Sequence, residues 1–455
     1  MKQIKVLNLL FILTIVFLSS CGSDDDFMPP ITEIPEILVS ASVNGTVVDE
    51  LGEPMENVVV RVGMNTAQTD AYGVFSFNDI ETNKNGTLIS INKEGFFNNS
   101  KIVFTSADKT SYTKIMLIEK IVTSTFNASS GGAATTSDGA KVVIPAQGVK
   151  LESGGSYSGN VNVYATWLDP TADDLGLRMP GDLRAINGDD EAVKLVTYGM
   201  IGVELEGDNG EPLNIADGQT ATIEIPVPSS LVGSAPSTIP LWHFDEVSGY
   251  WIEEGSATLS SNNTYVGTVS HFSFWNYDVP GFLIHIEGLI TDTRDNGLGY
   301  SRVEVSVNSN GDAGVAYTDH TGFYQGYVPV DELLTIKVFG ECQEELYSGQ
   351  IGPFSADAVL PTIIATSSSN SFLTVTGILN NCNMEIESQG YVLVNNNTQV
   401  SVDANGNFNG TVEVCDALEV TISGVSINPF SQGTTTVHDI SGLNELNVGT
   451  LITCW

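Results

Sequence analysis

The chain has 455 residues, 42% of them hydrophobic and 16% charged, enough apolar material for roughly three or four domains. Its 55 acidic residues against 17 basic ones give a formal charge of −38, which repels nucleic acid and anionic lipid headgroups. Abundant Asn, Ser, Thr and Gly with few Lys and Arg suit β-rich domains with many turns and disfavour long surface helices.

Lys2 and Lys5 precede an apolar run from Val6 to Leu18 that only Asn8 and Thr14 interrupt. A helix over these thirteen residues would reach ~20 Å, short of the ~30 Å hydrocarbon core. Residues 1–20 therefore read as a cleavable export signal rather than a permanent span. Leu18-Ser19-Ser20-Cys21 resembles the bacterial lipobox, and the resemblance implies a mature chain that starts at an acylated Cys21. Ser23-Asp24-Asp25-Asp26 resembles the acidic signal that sends lipoproteins of the Bacteroidetes group to the outer cell surface, although the same run also reads as a solvated linker. Residues 21–40 form an acidic, Pro-containing tether. The expected place of work is the outer membrane, lipid-anchored and facing outward, with acyl chains contributing ~0.8 kcal/mol per buried CH₂.

Three stretches repeat one pattern: residues 41–120, 281–368 and 369–455. Each opens on Gly, apolar residues and Asp or Asn: Gly45-Thr46-Val47-Val48-Asp49, Gly288-Leu289-Ile290-Thr291-Asp292 and Gly377-Ile378-Leu379-Asn380-Asn381. Each then carries a turn of the form Asp-x-x-Gly-x-aromatic: Asp70, Gly73 and Phe75, then Asp319, Gly322 and Tyr324, then Asp403, Gly406 and Phe408. In such a turn the Asp side chain caps the backbone, Gly takes positive φ and the aromatic returns to the core face. Alternating strands such as Val303-Glu304-Val305-Ser306-Val307 lie between the two motifs. The expected unit is a small antiparallel β-sandwich of six or seven strands. The pattern resembles the carboxypeptidase regulatory-like domain, a transthyretin-like module, with the first copy nearest and the third, carrying Asn381 for Asp, the most divergent. That resemblance implies no peptidase site. The three turn aspartates either hold turns or ligate calcium.

Residues 121–280 break the repeat. Strand patterns such as Ala221 to Val227 predict one large β-sandwich or two small ones, loosely similar to ZU5-type regions that follow a regulatory-like module in animal surface and matrix proteins. The segment ends in aromatics. Trp242, Tyr250, Trp251 and Trp275 either pack the core or stack on sugar rings. His271 with Asp278 suggests a proton relay, a metal ligand pair or plain structure.

Cys342, Cys382, Cys415 and Cys454 all lie near the C-terminal end, and an exported chain is expected to oxidise them to two disulfides whose pairing three schemes allow. No C-x₂-C, H-E-x-x-H, G-x-S-x-G or P-loop pattern is present. No catalytic residue, cofactor or metal site is assigned. The expectation is an all-β protein of tandem sandwiches, three regulatory-like repeats flanking one larger insert, displayed on a membrane as a non-catalytic structural, adhesive or accessory binding module. Its partner would be a polysaccharide or a surface protein. A glycan-capture component is the alternative, and a glycosidase within the insert a third reading.

Overall fold

Alternating apolar and polar residues become strands almost throughout this computed structural model, which describes residues 36–107, 109–309, 313–319, 321–367, 371–415, 417–427 and 429–454. Residues 1–20, Cys21 and most of the tether lie outside the described residues. The one helix among the described residues is the single turn Leu175–Arg178, and no helix there is long and apolar enough to cross a membrane.

The strands of the described residues form seven hydrogen-bonded sheets that fall into four groups along the chain, spanning 38–116, 122–281, 283–364 and 371–452. In the first, the opening strand Leu38–Val48 lies between Val74–Asn83, antiparallel, and Thr110–Met116, parallel. A second sheet, Asn65–Gln68, Val59–Val62, Thr87–Asn92 and Asn99–Val103, closes the sandwich over Val43, Val47, Val60, Phe75, Ile89 and Ile115. The third group repeats this with Leu283–Thr291 in the opening place, and the fourth with Ser371–Asn380. The modules are thus antiparallel except for their closing strand, which runs parallel to the opening one. The closing strand must cross back from the other sheet, so it arrives in the same direction as the first.

The repeat motifs have one physical cause each. In every copy the opening Gly is paired directly across the ladder with the turn's aromatic: Gly45 with Phe75, Gly288 with Tyr324 and Gly377 with Phe408. The ring lies flat over the glycine. A Cβ on Gly45 would sit 2.4 Å from Phe75 Cζ, on Gly288 2.6 Å from the Tyr324 hydroxyl, and on Gly377 2.6 Å from Phe408 Cζ. The two turns of each copy are built alike. Asp70 Oδ1 accepts from the amides of Tyr72 and Val74, Asp319 Oδ1 from Thr321 and Phe323, and Asp403 Oδ1 from Asn405 and Asn407. At the opening turn, Asp49, Asp292 and Asn381 each take the same pair of amides two and four residues on. Asn381 can stand for Asp because the two backbone amides need only one acceptor oxygen; at Asp292 the second oxygen takes the Arg294 side chain and Asn296 Nδ2.

The insert forms one connected network of thirteen strands around the long strand Ala192–Glu206. One apolar core holds Val142, Val163, Ile201, Ile223, Leu241 and Trp275. A second, separate core holds Leu183, Leu195, Met200, Trp242, Trp251 and Phe274 together with Phe97 and Ile118 of the first module. The insert is therefore continuous with its neighbour through a shared core.

Gly45→Ala is expected to destabilise the chain by ~1–3 kcal/mol, because the new methyl group meets both the Phe75 ring and the Thr113 carbonyl oxygen. Urea denaturation measures this; a change under ~0.5 kcal/mol would show that the ring does not need the bare glycine.

Candidate functional site

Trp242 and Trp251 sit on the neighbouring strands Thr238–Phe244 and Trp251–Leu259, and both are completely buried. Their rings fill the core shared with Phe97 and Ile118. Trp242 Nε1 donates to the Asp278 carbonyl at 3.0 Å, and Trp251 Nε1 donates to the Asp182 carbonyl at 2.8 Å. Trp275 is equally buried in the insert's other core, and its Nε1 donates to the His271 carbonyl at 3.1 Å. A sugar ring needs an open aromatic face, so these three do not serve as stacking platforms. The C-terminal aromatic run of the insert reads as a binding strip in sequence, but it is where a large sheet meets a second module.

Tyr250 is half-buried, and its ring is taken by Arg184. The Arg184 guanidinium stands 5.2 Å from the Phe104 ring centroid, 5.1 Å from Tyr250 and 5.8 Å from Tyr327. These rings come from the first module, the insert and the third group of strands. Arg184 Nε also donates to Asp182 Oδ2 at 2.8 Å, and Nη1 donates to the Asn85 carbonyl at 2.6 Å. Only 3% of the residue is exposed. A planar cation that can stack and donate at once is suited to such a point, where Lys is not.

Other cations stand at the same seams. Lys101 of the first module donates to the carbonyls of Gly176 and Met179 in the insert, and burial pushes it down to about 7 against the pull of Asp182. Arg302 donates to the Asp173 carbonyl, and Arg294 reaches across to the carbonyls of Phe372 and Asn444 in the last module. A cleft of about 170 Å³ lies at this junction, bordered by Lys101, Phe104, Arg184, Lys194, Tyr317 and Tyr327.

The last module returns to the first. Tyr391 donates to Asp70 Oδ2 at 2.5 Å, Asn44 to Ser401 and Tyr72 to Gln432. Val74 packs with Tyr391, Leu393 and Val425. The turn aspartate Asp70 thus uses one oxygen for its own turn and the other for a neighbour, and burial raises its pKa. The first and last modules are therefore in contact.

The cysteines pair as Cys342–Cys415 and Cys382–Cys454. The first bridge ties the third group of strands to the fourth, and the second lies within the fourth. Beside the first, the Cys342 amide donates to Glu413 Oε2 at 2.9 Å. Glu341 next to it is pushed up to about 7 by burial, with Lys114 opposing and Glu413 adding to the rise.

His271 does not face Asp278, whose carboxyl is sealed inside with Asn276. Its Nε2 lies 3.3 Å from Glu254 Oε2, and His243 Nε2 lies 3.7 Å from the same oxygen. Glu254 is drawn upward by burial, but the Ser270 hydroxyl and the two imidazoles hold it below the usual carboxylate range. His243 is lowered by burial and by His271. Among the described residues this is the group that offers three metal-type ligand atoms together. Sequence gave little sign of it, because the three residues stand on separate segments at irregular spacing.

No family model matches the chain. Human cartilage intermediate layer protein 1 is 29% identical over 119 residues, covering 26% of this chain and 10% of that protein. The mouse protein 1 is 24% identical over 223 residues, covering 46% of this chain and 18% of that protein. The chain thus spans between 10% and 18% of the length of these two curated relatives. Among solved structures, the shaft pilin SpaA of Lactobacillus rhamnosus GG aligns at TM-score 0.19 and 8% identity, over 38% of this chain and 97% of the pilin. A putative membrane-associated protein of Bacteroides fragilis aligns at TM-score 0.15 and 9% identity, over 53% of this chain and 99% of that one. Similarity at these levels fixes neither family nor activity.

Two consequences are measurable. Arg184→Lys keeps the charge but loses the stacked fork, and is expected to cost about 2–4 kcal/mol in urea denaturation while exposing the module junctions to limited proteolysis; unchanged stability would remove Arg184 from its place at the junction. For Glu341, the folded chain holds to about 7 a proton that the unfolded chain releases near 4.5. Stability should therefore fall as pH rises through that window and level off above it. Glu341→Gln should flatten the slope, and a slope equal to that of the unsubstituted chain would show that Glu341 is not its source.

Proposed function

We propose that this is a non-catalytic, lipid-anchored protein of the outer cell surface, acting as a structural or adhesive module. The observation that carries the reading is the use of the groups from which chemistry would be expected. Trp242, Trp251, Lys101, Arg184, Arg294 and Asp70 all join one module to another. Such an arrangement resists separation of the modules and presents one continuous outer surface. The partial similarity to proteins named for cartilage points in the same direction. Lipid attachment rests on the Leu18-Ser19-Ser20-Cys21 sequence, and outward placement on the acidic run after it. Recognition of a polysaccharide through Trp242, Trp251 or Trp275 has no open ring to work with; contact with a surface protein or glycan would use the outer faces of the modules instead.

Cells making the full chain are grown with a clickable fatty-acid analogue and then treated with an external protease. The expected result is a labelled protein whose label disappears in Cys21→Ser and whose body is shaved from intact cells. Label that survives Cys21→Ser, or protection until the outer membrane is opened, would overturn the placement.

A further inference from the structure

We propose that His243, Glu254 and His271 form a surface site for a divalent ion of the zinc class. Three separate segments bring the donors together: the strand Thr238–Phe244, the strand Trp251–Leu259 and the bend before Phe274–Gly281. Glu254 Oε2 stands 3.3 Å from His271 Nε2 and 3.7 Å from His243 Nε2, and all three donors lie within 4.8 Å of one another. Around an ion with bonds of ~2.0–2.1 Å, tetrahedral donors lie ~3.4 Å apart. Two of the three edges already approach that spacing, and the third, between the two imidazole nitrogens, is no longer than 4.8 Å.

The surroundings fit a ligand set. Ser270 donates to Glu254 Oε1 at 2.7 Å, which turns the other oxygen towards the imidazoles. The two imidazoles meet edge to face at 4.6 Å, and both rest on the buried Trp275 ring, at 5.6 Å and 5.0 Å. A fixed indole beneath two rings limits how far they can splay. The side chains keep 19%, 43% and 32% of their surface open, in the order His243, Glu254, His271, so a fourth position is free for water or for a donor from a partner. Two nitrogens and one carboxylate suit zinc, copper or nickel, whereas calcium and magnesium require more oxygen donors. The chain's charge of −38 concentrates cations of every kind near the surface, so selectivity for this trio must come from the imidazoles.

Equilibrium dialysis of the full chain against Zn²⁺, with excess Ca²⁺ present to fill scattered carboxylates, tests the site. The expectation is one saturable Zn²⁺ per chain, at least ~10-fold weaker in His271→Ala and in Glu254→Gln and absent from the His243→Ala/His271→Ala chain. Co²⁺ should give visible d–d absorption and quench tryptophan emission in the unsubstituted chain, and neither signal should appear in the His243→Ala/His271→Ala chain. Metal-free thermal melts check that each variant is folded. Absence of saturable binding, or binding unchanged in the double His variant, would overturn the proposal.

Discussion

One guanidinium holds three folding units in register. Arg184 leaves a short strand of the insert and is covered by Phe104 from the first module, Tyr327 from the third group of strands and Tyr250 from its own. A buried cation is tolerated only when its charge and its donors are both answered. Here Asp182 answers the charge, the Asn85 carbonyl takes a donor, and three ring faces supply the rest. None of the three units can rotate against the others without opening this group to loss of partners. The same logic explains the shared core of Trp242 and Trp251: the back of the insert's sheet is apolar because another module covers it.

Each copy of the repeat is small, and a sandwich of this size buries a limited core. Within a copy, the ring over the glycine sets the register. Phe75, Tyr324 and Phe408 each occupy the space that a Cβ would need on the residue opposite, so a slip of one residue would place the ring against a side chain and turn the core face outward. The copies diverge elsewhere but keep this pair and the two Asx-type turns. Stability beyond the single sandwich then comes from contacts between copies, including the disulfide Cys342–Cys415 and the bond from Tyr391 to Asp70.

What was legible in the sequence is what depends on near neighbours. The turn aspartates, their glycines and the alternating strands act over two to four residues, and the structure uses them as their spacing implies. What was not legible depends on which surfaces meet. Trp242 next to His243 looks equally apt for a sugar or a core, and only the presence of Phe97 and Ile118 behind the sheet decides. Four cysteines permit three pairings, and the pairing follows from the contact between the third and fourth groups. His271 was read beside Asp278 because they are seven residues apart in the sequence; the fold instead pairs it with Glu254 across a bend and buries Asp278. Nor does anything local record that Asp70 will meet Tyr391.

The scarcity of Lys and Arg acquires a structural meaning from where they stand. With 55 acidic residues to 17 basic ones, acidic modules brought side by side repel one another, and the repulsion is strongest where water is excluded. Several of the basic residues are placed across those junctions: Lys101 and Arg184 between the first module and the insert, Arg302 from the third group to the insert, and Arg294 from the third group to the fourth. Each donates to a backbone carbonyl across the seam, and Arg184, Arg294 and Arg302 also pair with a carboxylate of their own unit, Asp182, Asp292 and Glu304, so the charge is answered locally while the remaining donors tie the neighbour. A chain can therefore keep a strongly acidic outer surface and still hold its units together when some of its few cations stand at the interior junctions.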